Sequence, residues 1–309
     1  MTTTRIVDRY EPLLGTVVEI DVEVDGVGRE DAATAVSNAA VDEMVRLQAI
    51  LSSVDPTSEF SRWCRGGDRP PSPELVAVLG LAADWQARSH GRFNPAAGRL
   101  SQLWRAAEAD DRPPDPSMLA AMVSDIAHPR WSIVDGAPVR HGEVVDCTLN
   151  ALAKGWIADR AVEVAMAHGG VVSAAVNAGG DIVVRGPRTL TVAIEDPATP
   201  WDNAAPLTTV ELRDAGLATS GGARRGFRIG GVRHSHVLDP RTGRPVDHLA
   251  SISVVAPSAA EADALATVLG VEPAAAAIAE ASAMDLACLV VTPEGRVLAT
   301  ERWRSIEVD

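Results

Sequence analysis

Residues 15–24 form the first strand candidate, with strict alternation from Val18 onward. Val18, Ile20, Val22 and Val24 are apolar, and the acids Glu19, Asp21 and Glu23 stand between them. Successive side chains of a strand point to opposite faces, so this period of two predicts a strand with one buried and one charged face. The pattern then changes to a helical period. Residues 31–51 place Val41, Met44, Val45, Leu47 and Leu51 on one side. Ser72-Pro73-Glu74 opens a second helix through residue 87, with proline at its first position and an acid in its first turn. A third helix is expected over residues 151–167, stopped by Gly169-Gly170. Short strands are expected at 131–134, 143–147, 171–176 and 181–184, and two further helices at 259–270 and 273–283. Strands and helices do not alternate regularly, so the chain reads as α+β, with mixed or largely antiparallel sheets flanked by helices, rather than a doubly wound parallel sheet.

Residues 105–116 are acidic and proline-rich. They predict a surface loop and mark the candidate internal break in what otherwise reads as a single domain over residues 1–309. No repeat period is visible. A chain of 309 residues with 46% apolar and 23% charged residues can bury a sizeable core and matches soluble globular composition. A net charge of −14 lacks the basic face that nucleic acid requires and disfavours adhesion to anionic lipid. The first nine residues hold no apolar stretch of the kind a signal peptide carries, and the expected compartment is the cytoplasm. Cys64, Cys147 and Cys288 are widely spaced, without a near Cys or His, and read as reduced, partly buried small hydrophobes. Neither a dinucleotide-binding G-x-G-x-x-G nor a phosphate-binding G-x-x-x-x-G-K-[ST] occurs.

Candidate chemistry begins with Lys154. It is the single lysine among 28 basic residues; the other 27 are arginine. In a chain that uses arginine wherever the two are interchangeable, a surviving lysine marks a place for a compact ammonium. The densest polar stretch runs Thr219-Ser220-Gly221-Gly222-Ala223-Arg224-Arg225-Gly226, then from His234 to Pro245. Glycine-rich turns let backbone N–H groups approach a ligand, and nearby arginines can fork onto phosphate oxygens; a hairpin with charged tips has the same composition. His236, placed on an expected strand, is compatible with a general base, a ligand contact or a structural histidine. Asp263 and Thr267 are spaced i, i+4 on an expected helix, which puts both on one face. Such a pair suits Mg²⁺, which keeps waters and completes its shell with substrate phosphates; an exposed helix face is the plain alternative. Asn177-Ala178-Gly179-Gly180-Asp181 joins two strand-like runs, and its glycines can serve the turn alone.

Read together and in order, these segments resemble the FAD:protein FMN transferase family, also called ApbE. Leu14-Gly15-Thr16 resembles its opening Met-Gly-Thr, and residues 52–63 resemble its Ser-x-Tyr-x-x-x-Ser-Glu segment. Gly91-Arg92-Phe93-Asn94-Pro95, followed by Leu100 and Trp104, resembles Gly-x-Phe-Asp-x-Thr leading into Leu-x-x-x-Trp. Leu152-Ala153-Lys154-Gly155 matches Ile-Ala-Lys-Gly, and residues 177–181 match the Asn-x-Gly-Gly-acid turn. Ala218-Thr219-Ser220-Gly221, Ser235-His236 with Asp239-Pro240, Thr242-Gly243-x-Pro245 and residues 262–267 complete the series.

The resemblance implies cleavage of FAD at its pyrophosphate, release of AMP, and esterification of FMN to a Thr or Ser of an acceptor protein with an FMN-binding domain. It implies Mg²⁺ held by Asp263 and Thr267 side chains and by carbonyls of Ala151 and Ala266. It implies FAD contacts at Leu14, Arg92, Phe93, Asn94, Thr148, Lys154, Thr219, Ser220, Val237 and Leu238, and a catalytic role for Asp263 and for His236, which would assist deprotonation of the acceptor hydroxyl. The chain departs from the family pattern at Val54, where a tyrosine is frequent, at Asn94 and Thr148 in place of aspartates, at Ala96 in place of threonine, and at Gly222 in place of an acid. Two other flavin readings share these residues: a carrier that binds FAD without transfer, and a pyrophosphatase giving FMN and AMP. An acidic interaction protein without flavin is the remaining class.

Overall fold

A computed structural model describes residues 2–142, 144, 146–201, 203–222 and 226–308. The chain opens with β1 (Thr3–Leu13) and β2 (Thr16–Asp25), then α1 (Glu30–Leu51), α2 (Glu59–Cys64) and α3 (Pro73–Arg88). A 3-10 turn (Pro95–Ala97) leads into α4 (Gly98–Ala109) and α5 (Pro116–Ile126), followed by the hairpin β3 (Trp131–Val134) and β4 (Ala137–Arg140). Next come α6 (Ala153–Met166), β5 (Val171–Ala178), β6 (Asp181–Arg185), β7 (Leu190–Ile194), β8 (Thr208–Leu212) and β9 (Gly216–Gly221). The chain continues through β10 (Gly226–Ile229), β11 (Val232–Ser235), β12 (Ser251–Ala256), α7 (Ala259–Leu269), α8 (Ala274–Ala283), β13 (Ala287–Val291), β14 (Val297–Ala299), α9 (Glu301–Arg304) and β15 (Glu307–Val308).

The backbone of the fold is an eight-stranded sheet in the order β1-β2-β5-β6-β9-β12-β13-β14, antiparallel at each pairing. Period two divides its side chains between two cores. Val18, Ile20, Val22, Ala174, Val176, Val183, Ala218, Ile252, Val254, Cys288 and Val290 face the larger one, which α1, α6 and α7 cover. Ala175, Ile182, Val184, Leu217, Ala287 and Leu289 face the smaller one, closed by the sheet β15-β8-β7 and by Trp303. A sheet buried on both faces needs apolar residues in unbroken runs, and β13 is buried at all of its positions. At the β1–β2 end the second face carries the acids of the opening alternation. Asp21 there takes a forked pair from Arg5 and a bond from Arg188.

The α+β architecture agrees with expectation, three local expectations do not, and one strand stands where none was expected. β1 was not foreseen; its apolar signal is thin, and pairing with β2 through the Leu14–Gly15 turn makes it a strand. Residues 105–109 belong to α4 instead of a loop, because their alanines and long charged side chains are good helix formers. The expected strand over 143–147 is not found: residues 143 and 145 lie outside the described residues, and 144, 146 and 147 are in no strand, β4 pairing with β3 instead. His236 follows β11 in a bend rather than sitting within a strand. Burial pushes each of the three free thiols up to about 12, in keeping with inert packing residues. Among the described residues no helix is long and apolar enough to cross a membrane.

Candidate active site

The hairpin turn of β1–β2, the turn of β5–β6, the first turn of α6 and the face of α7 meet at one corner. In the β5–β6 turn the Gly180 N–H donates to Asn177 Oδ1 (3.0 Å). Gly179 has φ +62°, and a Cβ there would stand 2.3 Å from Thr16 Oγ1. Only glycine lets the two turns touch, which explains why Leu-Gly-Thr and Asn-x-Gly-Gly occur together. Lys154 closes the corner. Its Nζ donates to the carbonyls of Ala178 (3.0 Å) and Gly179 (3.4 Å) and pairs with Asp181 Oδ2 (2.9 Å). An ammonium offers three donors around a point, and the corner offers three acceptors to match; a planar guanidinium does not fit that pattern.

Asp181 heads β6 and is 3% exposed. Across from it, Asp263 on α7 has a buried Oδ2 with no hydrogen-bond partner. Burial and the charge of Asp181 push the Asp263 carboxyl well above its ordinary range, against the opposing pull of Lys154. Burial also raises Asp181, again opposed by Lys154. Two buried carboxyls thus share one ammonium. A buried acceptor without a donor is costly unless something else satisfies it. The side-chain donors are hard oxygens: Asp263, Asp181 and the Thr267 hydroxyl one turn along α7; Ala151, whose carbonyl the family resemblance implies, stands two residues ahead of α6. This set suits Mg²⁺. Among the described residues no group of three His, Cys, Asp or Glu could cage a metal, so waters or substrate oxygens would complete a shell. The Ala266 carbonyl accepts from the Gly270 N–H within the end of α7, which leaves it one further lone pair.

The remaining sequence candidates divide into two groups. Leu14 takes the left-handed conformation (φ +54°), which non-glycine residues rarely adopt, and its N–H donates to Gln48 Oε1 (2.8 Å). Thr148 Oγ1 and Asn150 Oδ1 both bond Ser53 Oγ (3.2 and 3.0 Å), next to Val54, which is 86% exposed. Thr219 Oγ1 bonds Ser253 Oγ (2.8 Å) and Ser220 stands beside it on β9. Arg92, Phe93 and Asn94 form a second group, tied to the fold by their own side chains. Arg92 makes a forked pair with Glu280 (2.7 and 2.8 Å), Phe93 is buried, and the Asn94 amide bonds Ile126 O and accepts from the Ala96 N–H. Arg224 and Arg225, read as phosphate holders, lie outside the described residues.

Asp247 grips the segment ahead of His236. It accepts from the Ser235 N–H (2.9 Å) and meets His234 Nδ1 (3.1 Å). Trp104 lies beside the His234 ring (5.7 Å between centroids) and donates Nε1–H to Gly243 O (2.7 Å). Val237 and Leu238 continue into a short pairing with 245–246, which holds the Asp-Pro-Arg-Thr-Gly loop. Sequence reading noted Asp181 only as the acid that ends a turn. An acid opening an otherwise apolar strand was the available signal. For Asp247 no local pattern exists.

The ApbE family model matches residues 14–290. The chain is 34% identical to the FAD:protein FMN transferase of Treponema pallidum, over 94% of this chain and 86% of that protein. It is 33% identical to the FAD:protein FMN transferase of Rhodobacter capsulatus, over 95% of this chain and 57% of that longer protein. The crystal structure of the ApbE protein from Thermotoga maritima superposes with a TM-score of 0.85 at 24% identity, over 99% of this chain and 100% of that one, a likeness of fold.

Proposed function

This chain belongs to the ApbE family, and on that premise we propose that it is an Mg²⁺-dependent flavin transferase. It passes FMN from FAD to a Thr or Ser hydroxyl of an acceptor protein with an FMN-binding domain and releases AMP. In atoms, the acceptor oxygen forms a bond to the FMN phosphorus, the bond from that phosphorus to the bridging oxygen breaks, and AMP leaves with the electron pair. Phosphoryl transfer of this kind is governed by positioning and charge neutralisation.

The observation that carries the reading is the buried, unpartnered Asp263 oxygen facing Asp181 and Lys154. Asp263, Thr267 and Asp181, with the Ala151 carbonyl, would hold Mg²⁺, which when bound supplies charge neutralisation at the pyrophosphate. Lys154 holds the β5–β6 turn against α6 and contributes the one ammonium of the corner. His236, presented by the segment that Asp247 grips, takes the proton of the acceptor hydroxyl.

The test is incubation of the pure protein with FAD and Mg²⁺, with and without a flavin-acceptor domain, following AMP and protein-bound flavin. AMP with covalent flavin on the acceptor is expected. AMP with only free FMN makes the chain a pyrophosphatase, and bound FAD without AMP makes it a carrier; either result overturns the transferase reading.

A further inference from the structure

We propose that Asp159 is a positioning residue for this reaction: from α6 it holds the first turn of α7 and so sets where Asp263 and Thr267 stand relative to Lys154. The proposal rests on the reading of α7 as the metal-bearing helix.

A helix leaves its first four N–H groups without partners of its own. In α7 the three that follow the N-cap Ser258 all have partners, and the Ala262 N–H makes the first regular helical bond. The Ala259 and Ala260 N–H groups donate to the two oxygens of Asp159 (2.9 Å each). Glu261 N–H donates to Ser258 Oγ (3.1 Å). A carboxylate at this end is also favoured by the helix dipole. Asp159 is 8% exposed, and burial raises its carboxyl while the two N–H bonds oppose that rise.

Backbone contact makes the grip stiff. A Cβ on Gly155 of α6 would lie 2.5 Å from Ala259 O, and one on Gly216 of β9 would lie 2.3 Å from Ala259 N. The first turn of α7 thus sits in a slot with no side chain to cushion it, and Arg185 fixes the residue just ahead by donating to Pro257 O (2.8 Å). One turn further along the same helix stands Asp263, and one more turn brings Thr267. The same α6 carries Lys154. One helix therefore supplies the ammonium and anchors the element that supplies the facing oxygens. Groups that orient metal ligands tune affinity without touching the metal, and Asp159 would do so one step further out, through the helix that carries the ligands.

The experiment titrates Mn²⁺, as a spectroscopic substitute for Mg²⁺, into the FAD-loaded protein and reads free Mn²⁺ by electron paramagnetic resonance. Hydrogen exchange of the α7 amides is followed in parallel. Asp159→Asn, which keeps one acceptor oxygen, is compared with Ser258→Ala, which removes a cap on the same helix end. The expected result is roughly a 10- to 100-fold loss of Mn²⁺ affinity and faster exchange at residues 259–263 in Asp159→Asn. Ser258→Ala should keep its Mn²⁺ affinity within about threefold at a similar loss of melting temperature. If the asparagine variant does not fold, Asp159→Glu, which keeps both oxygens and moves them by one methylene, should show the same loss. Affinity that falls in both variants in proportion to their stability makes Asp159 merely structural and overturns the proposal, as does unchanged affinity in Asp159→Asn. A wild-type protein that takes up no Mn²⁺ overturns the metal reading beneath it.

Discussion

Two clusters of charge join distant parts of this chain, and they carry the same formal charge with opposite chemistry. Asp181, Lys154 and Asp263 sum to −1. So do Asp239, Arg241, Glu272, Arg92 and Glu280, a ladder whose rungs are forked or single pairs: 2.9 Å from Arg241 to Asp239, 2.7 Å to Glu272, and 2.7 Å from Arg92 to Glu280. In the ladder the guanidinium of Arg92 holds the Glu280 carboxyl below its ordinary range. In the corner both carboxyls are pushed up by burial. The ladder ties the loop of Arg92, the Asp-Pro-Arg-Thr-Gly loop and α8 into a scaffold. The corner keeps an oxygen that the protein itself does not satisfy. Net charge therefore does not mark the site; two buried carboxyls raised together beside one ammonium do.

The largest effect should come from Asp263→Ala. Mg²⁺-dependent AMP release should fall roughly 10³-fold, the loss of several kcal/mol of charge neutralisation, and the fold should stay cooperative. The companion Asp263→Asn should melt about 2 °C or more above wild type without ligand at neutral pH, because it removes a carboxyl that burial penalises either as a charge or through the proton it must hold. The sign with pH follows from the raised carboxyl. The native form keeps a proton that the unfolded chain has already released, so wild-type stability falls as pH rises from about 4 through the raised value. The gap between the variants should widen in that direction. A gap that is absent, or that narrows with rising pH, would place Asp263 with the ladder. Next in size is His236→Ala, with transfer to protein slowed roughly 10²-fold and FAD affinity nearly kept. An unchanged transfer rate removes the base. Lys154→Arg should follow at roughly tenfold in turnover, the loss of about one charge-assisted bond at Ala178 or Gly179. If it matches wild type, the corner does not need a compact ammonium.

The contrast also explains what could be read in the chain beforehand. The alternation at residues 15–24 and the i, i+4 spacing of Asp263 and Thr267 are local patterns, and both led to the right element. Lys154 was visible because composition isolated it. Asp159 and Asp247 were invisible: their partners lie 100 and 12 residues away, and nothing in the sequence around them states that distance. Arg92 and Asn94 are expected from their motif to contact the ligand, and the structure adds bonds from their polar groups to Glu280, Ile126 and Ala96. Pairing of this kind depends on which loops the sheet order brings together, which no local period encodes.

The smallest effect belongs to the ladder, and it is the sharpest check on the comparison. Glu280 is 36% exposed at its side chain, so solvent screens its pair with Arg92. Glu280→Gln should lower stability by at most about 1 kcal/mol and leave turnover within about twofold. Its pH sign is opposite to that of the corner. A carboxyl held low in the folded state contributes stability that is present above its unfolded value and is lost as pH falls through its folded one. The difference in melting temperature between wild type and Glu280→Gln should therefore shrink on acidification, while that of Asp263→Asn shrinks as well but with the variant on top. If Glu280→Gln instead lowers FAD turnover more than tenfold at unchanged stability, Arg92 is freed from a pair that matters to ligand binding, and the ladder is part of the site rather than its frame.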